Sequence, residues 1–345
     1  MTVVTERAGP RGLTVSGARC AFLHVVRWHD FCCLCAGIRR GQPLPFSLVS
    51  EISWNGCRPP AHHGIVRILV TGHRGNVGAP VADHLTRLGH DVTGFDRVDG
   101  GDLLDAGSVR RAAHGCAAVV HAGALAHDSA GSPEDIMAIN VLGTWHVLLA
   151  AEAAGIRRVV YFSSGQVFGV AEGERLPDYF PVDDGHPRRA MRPYGLSKCL
   201  AEDLCAGFTA RTGIPTVALR PAWVWDPGMY QRIEAQWRAD PGSEWTPAWE
   251  YGQFVDVRDV ADAVQRALQV PLAGHHRVLL CAADIAATEP SLVMAARFAP
   301  PVPIRDPARF QRGPWHALFD CSAAYRVLGW RPQYEWRMRG PGQPG

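Results

Sequence analysis

From Ile65 onward the chain alternates short apolar runs with amphipathic stretches, whereas residues 1 to 63 show neither a helical nor a strand period. IVRILVTG is a continuous apolar run ending in glycine, and NVGAPVADHLTRLG reads as a helix closed by Gly89. HDVTGFD is a second strand, AAVVHAGA is a buried run of the fourth-strand type, and RRVVYFSS is another buried strand. Between the last two, Ser132 as N-cap, Pro133 in the first turn, Asp135 three after the cap and Gly155 beyond the end mark a helix. A further helix from Tyr194 through Arg211 precedes the strand PTVALRP. Apolar strands alternating with amphipathic helices predict an α/β fold with a doubly wound parallel sheet covered on both faces.

After Pro221 the pattern loosens, Trp and Pro accumulate, and a helix-like VADAVQRALQV stands near Val260 to Val270. This predicts a sheet domain over 64–221 and a small substrate lobe over 222–338, some of whose segments return to the sheet. Residues 1–63, rich in Arg, Gly, Pro, Cys and Trp, read as a leader outside the core, disordered or not native, with the functional chain beginning near Val66. There is no internal repeat.

Composition narrows the classes. A chain of 345 residues that is 47% hydrophobic has ample material for a core. The net charge of +2 divides into +4 for residues 1 to 63, with seven arginines against three acids, and −2 for the rest. Neither part has the basic excess of a nucleic-acid binder. The most apolar long stretch, CAFLHVVRWHDFCCLCAGI, is broken by Arg27, His29 and Asp30, so no membrane span is expected. The leader is a poor secretory signal, and a cytoplasmic location follows as the expectation. Cys116, Cys199, Cys205, Cys281 and Cys321 read as reduced thiols. Cys32-x-x-Cys35 with Cys57, His62 and His63 can be drawn as a zinc site, but the spacing is less regular than in structural zinc modules, and no metal is expected.

Two segments carry chemistry. TGHRGNVG puts Gly72, Gly75 and Gly78, with Arg74, Asn76 and Val77, between a strand and a helix, where backbone amides can approach a pyrophosphate at the positive helix end. Asp96 closes the second strand 24 positions after Gly72, where a carboxylate accepts hydrogen bonds from a ribose 2′-hydroxyl; this favours NAD. Arg74 and Arg97 keep NADP as the alternative, since a guanidinium can hold a 2′-phosphate. About 120 residues after the glycine turn, YGLSK places Tyr194 and Lys198 four apart on one helix face, where the ammonium can lower the phenol pKa. Bringing a tyrosine down from near 10 by about three units requires ~4 kcal/mol of differential stabilisation of the phenolate.

Together with GDLLD, VVHAGA, NVLGT, YFSSGQVFG, LRPAWVWDPG, FVDVRDVA and LGWRP, these segments resemble the extended short-chain dehydrogenase/reductase family, also called the NAD-dependent epimerase/dehydratase family, from about Arg67 to Arg331. The resemblance implies that 64–221 is an NAD(P)-binding Rossmann domain that also carries the catalytic residues. It implies Ser164 as the catalytic hydroxyl, Tyr194 as general acid or base, and Lys198 as the group that holds the nicotinamide ribose. Cofactor contacts would come from the glycine turn, Asp96 and Arg97, Asp102 and Leu103 against the adenine, Ala122, Gly123 and Ala124 across the sheet edge, Asn140 and Pro221. A homodimer through the helices Tyr194 to Arg211 and Pro133 to Ala154 is implied as well.

The implied reaction is hydride transfer at a carbinol carbon of a sugar, sugar nucleotide or related polyol, as an epimerase or as a net dehydrogenase; a non-catalytic dinucleotide sensor or scaffold is the other class. Two departures narrow it. Gly165 and Gln166 stand where dehydratases of the family carry an Asp-Glu pair, which argues against a 4,6-dehydratase. Gly252, two before Phe254, stands where many nucleotide-sugar enzymes carry a pyrophosphate-binding arginine. Arg232, Arg238 or Arg309 can substitute, or else the substrate is smaller, such as a free sugar or uronic acid. His121 and His127 read as packing or surface residues, with His127 able to touch substrate. Trp223, Trp225, Trp237, Trp245 and Trp249 can stack on a sugar or fill the lobe.

Overall fold

The structure, a computed structural model, describes residues 66–170, 174–240, 250–299 and 301–337. The chain divides into two compact units, Met1–Ala61 and His62–Gly345, and every described residue belongs to the second. The leader with its Cys and His group, and Trp245 and Trp249, lie outside the described residues.

Six parallel strands form the main sheet: β1 (Arg67–Thr71), β2 (Asp91–Phe95), β3 (Ala118–His121), β4 (Val159–Phe162), β5 (Thr216–Pro221) and, after a short side sheet of β6 (Trp223–Trp225) and β7 (Phe254–Asp256), β8 (His275–Leu280). Their order is β2-β1-β3-β4-β5-β8. The chain therefore leaves β1 first to one side and then to the other, and this reversal opens a crevice at the carboxyl ends of β1 and β3. The run AAVVHAGA, read as of the fourth-strand type, is third in chain order, and GDLLD between β2 and β3 forms a turn in which Asp102 and Asp105 accept from the amides two residues on.

Alternate residues along each strand feed opposite faces. Ile68, Val70, Val120, Val160, Val217, Leu219 and Val278 pack against α1 (Gly78–Arg87), α7 (Val257–Gln269) and α10 (Ser322–Leu328). Leu69, Val119, Val159, Tyr161 and Ala218 pack against α2 (Ala106–Ala113), α4 (Gly143–Ala153) and α5 (Pro193–Thr212). The helix near Val260 is one of the segments after Pro221 that return to the sheet, on its first face: Val257, Val260, Ala261, Val264 and Ala267 form a buried stripe at helical spacing that the sheet requires. The lobe is built from α6 (Pro227–Ala239), α8 (Ser291–Phe298), α9 (Pro307–Arg312) and the side sheet. Trp225 and Trp237 pack there with Tyr230, Phe254 and Trp336, with Trp225 stacked on Phe254 at 4.5 Å between centroids, so these two indoles serve packing rather than a sugar pocket.

The helix predicted from Ser132 forms with its capping box complete, as α3 (Pro133–Met137), but a π-helical turn over Ala138–Leu142 separates it from α4. Taken as one span, Pro133–Ala153 is long and apolar enough to cross a membrane by length and composition, and 44% of its most apolar window is buried in the fold.

That π turn ends a chain of hydrogen bonds in which each donor is used once. The Gly123 amide donates to Thr71 Oγ1 (3.1 Å), and Thr71 Oγ1 meets His121 Nδ1 (2.6 Å). His121 Nε2 meets Thr144 Oγ1 (3.0 Å), which donates to the Asn140 carbonyl (2.5 Å). Because Thr144 gives its proton to Asn140, it accepts from Nε2, and Nδ1 is left as acceptor for Thr71; the chain needs a neutral imidazole. Burial, helped by the Lys198 charge, lowers the His121 pKa from 6.5 to about 3. Folded His121 thus stays neutral where the unfolded imidazole takes up a proton, so stability falls as the pH drops from 6.5 towards 3. Between pH 7 and pH 5 this group alone removes about 2 kcal/mol. In urea unfolding at the two pH values, His121→Gln should lack this increment while wild type shows it; equal losses in both proteins would refute the assignment.

Candidate active site

The glycine turn connects β1 to α1. Gly72 has φ +69°, and a Cβ there would stand 2.6 Å from the Gly123 nitrogen. A Cβ at Gly78 would overlap the Gly72 carbonyl oxygen. Only bare backbone lets the turn fold onto itself and onto the Ala122–Gly123 segment after β3. The result is a cradle of amides at the α1 N-terminus, with Asn76 exposed and Val77 tucked beneath. This is the close backbone approach that a dinucleotide pyrophosphate needs.

Asp96 borders the cradle and is oriented by it: Oδ2 accepts from the Arg74 amide (3.1 Å) and Oδ1 from the Val98 amide (3.1 Å). The Arg74 guanidinium is engaged by Asp99 through two bonds of 2.9 and 3.0 Å, and His73 Nε2 lies 3.0 Å from the same carboxylate. The bond from Arg74 holds Asp99 below the usual carboxylate range. With Arg74 so occupied, the carboxylate at Asp96 dominates the ribose end, which fits NAD better than NADP. Arg97 is exposed. Leu103 reaches between Gly123 and Gly143, so a Cβ on Gly123 would come within 3.1 Å of its Cδ1. Ala124 is half-buried beyond Gly123, and Pro221 is buried at the end of β5.

β4 delivers Ser164 at its carboxyl end, as N-cap of the short 3-10 turn Gly165–Phe168, where Oγ accepts from the Gln166 amide (3.1 Å). That bond uses a lone pair and leaves the hydroxyl proton for another acceptor. The turn lies against the first turn of α5: Gly195 has no Cβ, and one would come within 3.0 Å of the Gln166 carbonyl oxygen. Pro193 starts α5, and the Tyr194 amide is capped from outside the helix by Asp128 Oδ1 (2.8 Å). Lys198 is buried, and Nζ donates to the carbonyl of Phe162 (2.8 Å), two residues before Ser164. Its ammonium lies 5.6 Å from the Tyr194 ring centroid and 5.1 Å from that of Tyr161. Burial lowers the Lys198 pKa from 10.5 to about 7, against the nearby Cys205 and Glu202, which raise it. Ser164, Tyr194 and Lys198 therefore converge on the end of β4, beside the cradle.

Asn140 does not turn toward the cradle. Its amide binds the Leu125 backbone through both ends (2.8 and 3.0 Å) and donates to Ser197 Oγ (3.0 Å) on α5, tying the loop after β3 to the helix that carries Tyr194 and Lys198. Cys199 Sγ reaches the Val167 carbonyl, and burial raises that thiol to about 11, so it takes no part. His127 is exposed and bonded to Ser129. Gly252 has φ +77° and follows Tyr251 at φ +55°, while its carbonyl accepts from Ala286 (2.9 Å). Of the arginines that could stand in for it, Arg238 pairs with Glu234, Arg309 lies 3.6 Å from Asp320, and Arg232 reaches Met229 Sδ. Sequence reading missed the Thr71–His121–Thr144 chain, Asp99, the Asp128 cap and the buried Glu202. Only Glu202 had a local signal, one further four-residue step along Tyr194 and Lys198.

The model of the NAD dependent epimerase/dehydratase family matches residues 68–282. The chain is similar to the uronate dehydrogenase of Pseudomonas syringae pv. tomato, 28% identical over 222 residues that cover 61% of this chain and 72% of that enzyme. It is also similar to the UDP-glucose 4-epimerase of Streptomyces lividans, 31% identical over 172 residues, covering 44% of this chain and half (50%) of that enzyme. Among solved structures, a short-chain dehydrogenase/reductase superfamily protein from Agrobacterium tumefaciens with bound NAD is 26% identical, with a TM-score of 0.59 over 79% of this chain and 94% of that one.

Gly78→Ala should weaken NAD binding at least roughly tenfold, as followed by calorimetry, because the new methyl must displace the turn backbone. Unchanged affinity in a folded variant would show that the cradle does not hold the pyrophosphate.

Proposed function

The chain belongs to the NAD-dependent epimerase/dehydratase family, and from that premise we propose that it is a net dehydrogenase that oxidises the carbinol carbon of a small sugar acid of the uronate class. NAD, when bound in the glycine cradle with its ribose toward Asp96, supplies a two-electron hydride acceptor. Tyr194, as phenolate, takes the proton of the substrate hydroxyl, and the neighbouring Lys198 ammonium stands where it can favour that anion. Ser164 accepts from the Gln166 amide with one lone pair and donates a hydrogen bond to the substrate oxygen as that oxygen becomes a carbonyl. The carbinol carbon thus loses a hydride and its hydroxyl a proton, leaving a ketone, or a lactone where the carbon is a hemiacetal.

The observation that carries the choice of substrate is Gly252. A left-handed glycine stands where nucleotide-sugar enzymes of the family present an arginine, so a pyrophosphate on the substrate lacks that partner. The likeness to a uronate dehydrogenase points the same way. Gly165 and Gln166 supply no carboxyl group for dehydration.

We also propose a homodimer through α4 and α5. Leu196 and Leu200, one turn apart on α5, and Leu142 before α4 are 38%, 41% and 46% exposed, which forms an apolar strip on an apolar helix pair.

Purified protein given NAD and a hexuronate should raise absorbance at roughly 340 nm, and UDP-glucose should not. Interconversion of UDP-sugar epimers without net NAD reduction would overturn the reading in favour of an epimerase. Tyr194→Phe should lower kcat by roughly 10² to 10⁴ with NAD affinity retained. In sedimentation velocity, wild type should run as a dimer and the Leu196→Glu, Leu200→Glu double variant as a monomer; a monomeric wild type would refute the interface.

A further inference from the structure

The helix that carries Tyr194 and Lys198 presents a third residue on the same face, Glu202, which is fully buried. Its carboxylate gathers groups from four other segments. Arg220, itself 1% exposed at the end of β5, binds both oxygens, through Nε to Oε1 and Nη2 to Oε2, each at 2.8 Å. Arg188 reaches Oε2 at 3.3 Å from the loop before α5, and Arg277 Nε lies 3.0 Å from Oε2 on β8. The fourth partner is Ser163, whose hydroxyl donates to Oε1 at 2.6 Å. Burial opposes charge on Glu202, yet the bonds from Arg220 and Ser163 outweigh it and hold the carboxyl below its usual range.

Two of these partners adjoin the chemistry. Ser163 precedes the catalytic Ser164, and Arg220 precedes Pro221 at the carboxyl end of β5. The Ser163 amide donates to the Leu219 carbonyl at 2.7 Å, so that residue is held by backbone on the β5 side and by side chain on the α5 side. Its hydroxyl is buried and committed to Glu202, and has no route to substrate. Arg220 continues the network to Asp184 at 3.1 Å, whose other oxygen accepts from the Leu279 amide at 2.8 Å. A buried ion pair adds little net stability by itself, because desolvation offsets its attraction, but it fixes geometry strictly. The bond that reaches Ser163 puts that fixity at the corner where Ser164 must meet Tyr194.

We propose that Glu202 is a positioning residue for the reaction: through Ser163 it sets the corner at which β4 presents Ser164 to the helix that carries Tyr194 and Lys198. The inference rests on the catalytic assignment of Ser164 and Tyr194 made above. Ser163 is therefore the link through which Glu202 acts, and Arg220 the counter-charge that lets a carboxylate stand there.

The test compares Ser163→Ala, Glu202→Gln, Ser164→Ala and the Ser163→Ala, Ser164→Ala double variant, reading kcat, KM, NAD affinity by calorimetry, and melting temperature. Ser163→Ala should lower kcat about tenfold, with KM and NAD affinity within twofold of wild type and little change in melting temperature. On the Ser164→Ala background the same change should cost nothing further, because residues that act through one group are not additive. Glu202→Gln should lower kcat more; it leaves Arg220 short of its counter-charge and can unfold, in which case Ser163→Ala decides. Full kcat in Ser163→Ala, or a tenfold loss repeated in the double variant, would overturn the proposal and leave Glu202 a purely structural ion pair. If Ser164→Ala turns over like wild type, the catalytic assignment itself fails and this inference falls with it.

Discussion

A lysine ammonium is held in a nearly water-free position at the end of β4, and the surrounding structure is arranged to make that tolerable. Burial drives Lys198 toward neutrality, and even with Cys205 and Glu202 raising it the pKa comes down to about 7. What opposes burial is local: the carbonyl of Phe162 on Nζ, two tyrosine faces within 6 Å, and the carboxylate of Glu202 one turn further along α5. The cation beside Tyr194 is thus poised by an anion that also binds Ser163. Electrostatics and geometry of the site share one helix face.

The other half of the site depends on the absence of side chains. Gly72 and Gly78 let the turn after β1 close against Gly123, and the Gly123 amide begins the hydrogen-bond chain through Thr71, His121 and Thr144 to Asn140. Asn140 in turn holds Ser197 on α5, and Ser197 donates to the Tyr194 carbonyl. The glycine cradle and the helix that carries Tyr194 and Lys198 are therefore joined by an unbroken run of buried polar groups. Such a run is stiff because every member is satisfied and has one arrangement.

The lobe follows a different logic. Among the described residues, Trp223, Trp237 and Trp336 pack in a small aromatic cluster around Trp225, and the backbone at Tyr251 and Gly252 takes left-handed conformations beside the strand that enters α7. This packing and the glycine at Gly252 are what the proposal of a small sugar acid rests on.

Strand and helix identities, the glycine turn, Asp96, and the Tyr194–Lys198 spacing were legible in the sequence because each is a local pattern: period 2 or 3.6, a cap, a turn that only glycine can make. Even the Ser132 capping box could be read residue by residue. The helix after Asp256 could not be placed from its own stripe, since an amphipathic face says that something must cover it and not which sheet does. For the same reason the pairing of Arg74 with Asp99, the neutrality of His121 and the convergence of Arg188, Arg220 and Arg277 on Glu202 were invisible: partners 14 to 75 positions apart meet only when the sheet order is set. The sequence by itself determined which groups are candidates for the chemistry, and the tertiary structure decided which of them are charged, which are neutral and which hold the others in place, because burial and partner distance exist only in the folded chain.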